Sequence, residues 1–132
     1  MEIFIDTSAL YAFISEDDRN HEVARQIWGS LLTSEDKLLT KSYVLVESIT
    51  LIQQRLGMKY VRTFLPQFTP ILHVDWLGQE QHSYAVEQLL TADCRQLSLG
   101  DCSSFETMRR LGIKKVFSFD EHFREQDFEV IP

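Results

Sequence analysis

Two acidic residues directly follow apolar runs of the chain. Asp6 ends the run Ile3–Ile5, and Asp120 ends the run 116–119. Taken alone, Asp6 is a turn or cap residue and Asp120 caps the helix that follows it. If both runs are neighbouring parallel strands, however, their carboxylates point into one crevice, because ligand sites of such sheets lie at the carboxyl ends of the strands.

Two further acidic residues lie on helical stripes that are otherwise apolar. Glu47 shares its stripe with Val44 and Leu51, which predicts a position on the core face, where an unpaired charge is costly. Asp101 shares a stripe with Phe105, so its carboxylate is expected to lean inward. A buried salt bridge is the alternative interpretation for Glu47, and a favourable charge at a helix N-terminus is the alternative for Asp101.

A cluster of these four carboxylates has a definite chemistry. Two carboxylates about 4 Å apart repel by about 4 kcal/mol at an effective dielectric constant near 20, so a cluster either takes up protons or recruits cations. Oxygen ligands alone suit Mg²⁺ or Mn²⁺, whereas Zn²⁺ prefers His and Cys. A hard cation held in this way favours the hydrolysis of phosphodiester bonds.

Composition limits the remaining choices. The chain has 132 residues and is 44% hydrophobic, with few Pro and Gly, which indicates one ordered domain over residues 1–132. Neither a membrane-spanning run nor a secretion signal is recognisable, so we expect a cytoplasmic protein. A net charge of −7 argues against binding nucleic acid by bulk electrostatics and predicts weak RNA affinity unless a metal or a local basic patch compensates.

Strands and helices alternate along the whole chain, which predicts a parallel sheet covered by helices on both faces. Pro66 is expected to break a helix that begins at residue 59, and Asp75 to cap the next one. Ser98 and Asp101 have the spacing of a capping box. The expected strands are 2–6, 38–40, 71–74, 116–119 and 128–131. The expected helices are 8–14, 21–33, 43–56, 59–65, 76–91, 98–112 and 121–126.

Four segments, in this order, resemble the successive motifs of PIN-domain nucleases, in particular the VapC-type toxins of bacterial toxin–antitoxin systems. They are "FIDTSALYAF", "VLVESITLI", "LSLGDCSSFETMRRLGI" and "VFSFDEHFREQDFEVI", and together they run from residue 4 to residue 131. The resemblance implies an α/β fold, a PIN-like three-layer sandwich with a central, mostly parallel sheet flanked by helices. It places Asp6, Glu47, Asp101 and Asp120 on the family's four acidic positions.

The resemblance also implies a function. The four acids are expected to be the catalytic, metal-holding residues of an endoribonuclease that uses Mg²⁺, with Mn²⁺ as an alternative. Thr7, Ser8 and Ser118 fall on hydroxyl positions that orient carboxylates or water. The implied partners are an RNA substrate, a cognate antitoxin and a second copy of the chain in a homodimer. Two alternatives stay open: a PIN nuclease that processes RNA without an antitoxin, and a catalytically silent module that binds RNA or protein.

Basic and apolar segments suggest where these partners bind. The candidate phosphate contacts are Lys41, Arg109, Arg110, Lys114 and Lys115. The alternative for the last four is that they complement the dipole of a helix C-terminus. The segment 60–68 is expected to pack in the core, and any apolar surface that it exposes would suit the groove that such toxins offer to an antitoxin.

Overall fold

The protein is built on one five-stranded sheet with seven helices. A computed structural model describes residues 1–132. The strands are β1 (Glu2–Ile5), β2 (Lys37–Lys41), β3 (His73–Asp75), β4 (Lys115–Phe117) and β5 (Glu129–Ile131). The helices are α1 (Thr7–Ile14), α2 (His21–Leu32), α3 (Ser42–Leu56), α4 (Met58–Phe68), α5 (Gln79–Ala92), α6 (Leu99–Leu111) and α7 (His122–Glu125). No helix is both long and apolar enough to cross a membrane.

The sheet has the strand order β3-β2-β1-β4-β5, and every neighbouring pair is parallel. The chain moves outward from β1 through β2 to β3 and then returns to the other side of β1 to form β4. This reversal is a topological switch point, the place where open α/β sheets bind ligands at the carboxyl ends of their strands. The predicted sheet is therefore confirmed, in an entirely parallel form.

Both faces of the sheet are covered. Successive side chains of a strand point to opposite faces, and Ile3, Phe4 and Ile5 of β1 are each at most 1% exposed. Val116 and Phe117 of β4 are fully buried in the same way. Such double burial is typical of parallel sheets, and it confirms the predicted three-layer arrangement.

Two predicted helix boundaries are wrong. Helix α4 continues through Pro66 to Phe68, although an internal proline costs a helix about 3 kcal/mol; continuing places Phe68 in the core, where it contacts the ring of Trp28. Asp75 does not cap α5. It ends β3 and pairs with Arg110 at 2.6 Å, while α5 begins only at Gln79.

Candidate active site

A cleft of about 260 Å³ opens at the carboxyl edge of the sheet, beside the switch point between β1 and β4. The structure brings all four predicted acids to its wall, although they are far apart in sequence. The lining residues are Asp6, Thr7, Ser8, Tyr11, Asp18, Asn20, Glu47, Leu51, Arg55, Asp101, Phe119 and Asp120.

Asp6 lies at the floor of the cleft, where β1 ends. Its Oδ2 atom accepts hydrogen bonds from Ser8 Oγ and Ser118 Oγ, both at 2.9 Å. Burial raises the pKa of Asp6 above its ordinary value, while these two hydroxyls act in the opposite direction and the nearby Asp120 raises it further. The two serines therefore favour the ionised form of a carboxylate that its buried position disfavours.

Asp120 follows β4 and is held by two hydrogen bonds, one at its backbone and one at its side chain. Its N–H donates to Ser118 Oγ at 3.0 Å, and its Oδ1 accepts from the backbone N–H of His122 at 2.9 Å. The second bond satisfies a free donor in the first turn of α7, as in the cap interpretation of this residue. This carboxylate thus supports the first turn of α7 and also lines the cleft, while the N-cap position itself is Glu121.

Asp101 is oriented by the start of α6. Ser98 Oγ accepts from Asp101 N at 2.9 Å and Asp101 Oδ2 accepts from Ser98 N at 3.0 Å, so the predicted capping box is confirmed. Burial raises the pKa of Asp101, the hydrogen bonds with Ser98 lower it, and the charges of Asp120 and Asp6 raise it. Asp101 therefore belongs to the same electrostatic cluster as both strand-end acids.

Glu47 lines the cleft, but for a structural reason that differs from the prediction. Its side chain is exposed rather than packed on the core face, because its stripe on α3 runs along the cleft with Leu51 half-buried beside it. Partial desolvation raises the pKa of Glu47, while the nearby Thr7 hydroxyl lowers it. A Cβ on Gly100 would lie 3.3 Å from Glu47 Oε2, so the missing side chain at position 100 gives this carboxylate its room.

Lys41 is buried beside the acids and is not available as the predicted RNA contact. It is 1% exposed, and its Nζ donates to Gly100 O and to Ser103 Oγ in the first turns of α6. Burial lowers the pKa of Lys41 to about 8, although Asp6, Glu47 and Asp101 favour its charged form. The ammonium group is therefore an internal counter-charge of the acidic cluster, and it ties β2 to α6.

The other predicted RNA contacts also lie away from the cleft. Arg109 and Arg110 line a separate cavity of about 650 Å³ between α5 and α6, and Arg110 is paired with Asp75 and Glu106. Lys115 opens β4, and Lys114 precedes it, so both lie at the amino edge of the sheet. Closeness in sequence does not bring Lys114 and Lys115 to Asp120, because β4 spans the sheet between its two edges, and Arg109 and Arg110 lie in the last turn of α6, away from Asp101.

The donors of the cleft suit a hard divalent cation. The acidic side chains offer oxygen ligands only, and both ring nitrogens of the nearby His122 are already hydrogen-bonded, to Glu125 and to Gln96 O. As the side chains stand, no three acidic, His or Cys side chains form a group that could hold an ion by themselves. An ion here would take direct ligands from one or two carboxylates and the remainder from water and substrate, which is the usual coordination of Mg²⁺.

Several residues of the cleft were not among the predicted site residues. Asp18 and Asn20 come from the loop between α1 and α2, which has no periodic signal that could have placed it. Arg55 and Tyr11 were also missed. Arg55 could have been found, because it lies eight residues after Glu47 and continues the stripe through Leu51 by two steps of four.

Known proteins show the same sequence pattern and fold. Residues 3–129 match the family model of the PIN domain. The 23S rRNA-specific endonuclease VapC20 of Mycobacterium tuberculosis is 31% identical, over 98% of each chain, and its crystal structure, described as a Sarcin-Ricin loop cleaving toxin, aligns with a TM-score of 0.85 over 96% of this chain and 95% of that one. The VapC ribonuclease of Aquifex aeolicus is 24% identical, over 96% of this chain and 93% of its own.

Proposed function

The chain belongs to the PIN domain family, and from this membership we propose that it is a Mg²⁺-dependent endoribonuclease, the toxin of a toxin–antitoxin pair. The observation that carries the proposal is the convergence of four sequence-distant carboxylates on one cleft at the switch point of the sheet. We further propose that residues 1–132 act as one nuclease domain, because the strands that supply Asp6 and Asp120 are neighbours near the two ends of the chain.

The chain's own residues have distinct tasks in this proposal. Asp6, Glu47, Asp101 and Asp120 would hold the cation, one or two of them as direct ligands and the others through water, with Mn²⁺ as an alternative to Mg²⁺. When bound, such a cation lowers the pKa of a water molecule and neutralises charge on the phosphate under attack. Ser8 and Ser118 orient Asp6, and the Thr7 hydroxyl lowers the pKa of Glu47. Lys41 keeps the first turn of α6 in place so that Asp101 faces the cleft.

We propose a folded ribosomal RNA as the substrate. Support comes from VapC20, whose name states specificity for 23S rRNA and which is similar over nearly the whole chain. The net charge of −7 points the same way, since indiscriminate binding of nucleic acid requires neutralisation of many phosphates. A substrate with a fixed shape can be held by a few well-placed contacts instead.

The antitoxin proposal rests on an apolar surface of α2 and α4. A shallow cleft of about 200 Å³ is lined by Phe13, Trp28, Leu32, Gln67, Phe68 and Ile71. Leu32 is 55% exposed, and Leu65 of the segment 60–68 is 41% exposed, whereas Val61, Phe64 and Phe68 pack in the core. An amphipathic antitoxin segment would cover such a surface. The homodimer stays a prediction from the resemblance, and the cytoplasmic location stays a prediction from the sequence.

Controlled expression in bacteria tests the function. The parent chain and an Asp6→Ala variant are induced side by side, and RNA ends are mapped after induction. We expect growth arrest and new ends in ribosomal RNA with the parent only. Arrest by both chains would indicate binding or misfolding rather than catalysis, and arrest without new RNA ends would favour the catalytically silent module.

A further inference from the structure

The acidic cleft has one cationic side chain in its wall. Five carboxylates line the cleft, those of Asp6, Asp18, Glu47, Asp101 and Asp120, and among Lys and Arg residues only Arg55 joins them. Arg55 is exposed, and it takes no part in any of the seven ion pairs of the protein. Its charge is therefore available to a ligand.

Arg55 is also held in a defined place. Its guanidinium carbon lies 5.4 Å from the centre of the Tyr11 ring, within the range of a cation–π contact. Tyr11 belongs to α1, which begins directly after Asp6, and Arg55 shares the α3 stripe of Glu47 and Leu51. The Tyr11–Arg55 pair thus lies beside the proposed catalytic acids.

An RNA strand that enters this cleft needs such a cation. Each phosphodiester carries a negative charge, and the carboxylates repel it unless positive charge is nearby. A bound divalent ion neutralises the reacting phosphate, but the neighbouring phosphates of the strand have no partner among the acids. A guanidinium offers parallel N–H donors that match two phosphate oxygens, and it fixes direction as well as distance.

We propose that Arg55, seated on Tyr11 at the acidic cleft, binds an RNA backbone phosphate and positions the strand relative to the carboxylates. This inference rests on the proposed endoribonuclease function. In this proposal Arg55, rather than the basic residues of the α6–β4 region, is the principal phosphate contact at the site. The competing role is purely structural, since Arg55 lies in the last turn of α3, where a cation complements the helix dipole.

Steady-state cleavage of an RNA stem–loop separates the two roles. We expect Arg55→Ala to raise KM about tenfold, the effect of losing one charge-assisted phosphate contact. It should also reduce the slope of log(kcat/KM) against log salt by about one. Arg55→Lys should keep the slope but restore only part of the affinity, because the planar fork is lost. Arg25→Ala, at an exposed arginine of α2 paired with Glu22, is the matched control and should change neither quantity.

A binding measurement decides the proposal even if no RNA is cleaved. Fluorescence anisotropy of the labelled stem–loop is followed with the Asp101→Asn chain and with the same chain carrying Arg55→Ala. Weaker binding and a smaller salt slope in the second chain support the assignment, whether or not the parent cleaves. Equal binding by both chains, or no binding by either, overturns it. Absence of cleavage by the parent, with the binding difference present, overturns the endoribonuclease proposal alone.

Discussion

The hydroxyl of Ser118 donates a 2.9 Å hydrogen bond to Oδ2 of Asp6 and so links the end of β4 to the end of β1. Ser8 donates to the same oxygen. Each serine also accepts a backbone N–H of the loop after β4, Ser8 from Phe119 and Ser118 from Asp120. Asp6 and Asp120 are therefore held by one small network, and Asp6 Oδ1 is left free of protein hydrogen bonds.

Replacing Ser118 by Ala should destabilise the protein and impair cleavage. The change removes a donor from the half-buried Asp6 carboxylate and an acceptor from Asp120 N, so we expect the free energy of unfolding to fall by about 1–3 kcal/mol. Urea unfolding measures the loss. Ser48→Ala is the matched control, because Ser48 is also fully buried but its hydroxyl has no hydrogen-bond partner. That control should be neutral or stabilising, and equal losses in both variants would contradict the network.

Much of this arrangement could be predicted from the order of the motifs. Apolar runs that end in Asp6 and Asp120 marked strand ends, the Ser98–Asp101 spacing indicated the start of α6, and the stripe that Asp101 shares with Phe105 indicated the inward acid. These signals are local: a strand end, a cap and a helical stripe each involve a few successive residues. The alternation of strands and helices then predicted the edge of the sheet where they meet.

What could not be predicted depends on partners distant in sequence. Asp75 has the sequence position of a helix cap, and only the fold shows that Arg110 is its partner. Lys41 resembled a surface cation in sequence, although β2 buries it against α6. Glu47 was assigned to the cleft for an incorrect reason, because its stripe borders the cleft rather than the core.

Mg²⁺ should raise the melting temperature of the parent and much less that of Asp101→Asn. A ligand that binds only the folded state stabilises it by about 2.7 kcal/mol at a hundredfold excess over its dissociation constant. Asn can still accept the hydrogen bond from Ser98 N, and one charge leaves a mutually repelling cluster, so the metal-free variant should be at least as stable as the parent. Thermal unfolding with and without Mg²⁺ measures both effects.

Asp75→Asn is the control for that comparison. It also removes one carboxylate, at the end of β3, but one that is paired with Arg110 and lies outside the cleft. We expect it to lose about 1 kcal/mol of stability and to keep the full response to Mg²⁺. If Mg²⁺ stabilises Asp101→Asn as strongly as the parent, the ion binds elsewhere.

The half-buried carboxylate of Asp6 should make the metal-free protein less stable as pH rises from about 4. Its pKa is higher in the folded state than the ordinary value of 3.8 because of burial, so the folded state holds the proton over a range in which the unfolded state has released it. Stability from this group is complete below pH 3.8 and is lost as pH rises through the folded pKa. The stability of the parent relative to Asp6→Asn should fall across this range, as urea unfolding at a series of pH values would show, and a constant difference would contradict it.

Lys41 should produce the opposite slope at alkaline pH. Burial lowers its pKa from 10.5 to about 8, so between these values the unfolded chain binds a proton that the folded protein has released. The free energy of unfolding therefore rises with pH across this window, by about 3 kcal/mol for a shift of this size.

Urea unfolding of the parent and Lys41→Met at pH 7.5, 9 and 10.5 isolates the effect, since the variant lacks it. The free energy of unfolding of the parent, relative to that of Lys41→Met, should increase at each step. Lys59→Met, at an exposed lysine of α4, controls for the loss of a lysine. A difference between the parent and Lys41→Met that is independent of pH would mean that the ammonium group is not desolvated beneath α6.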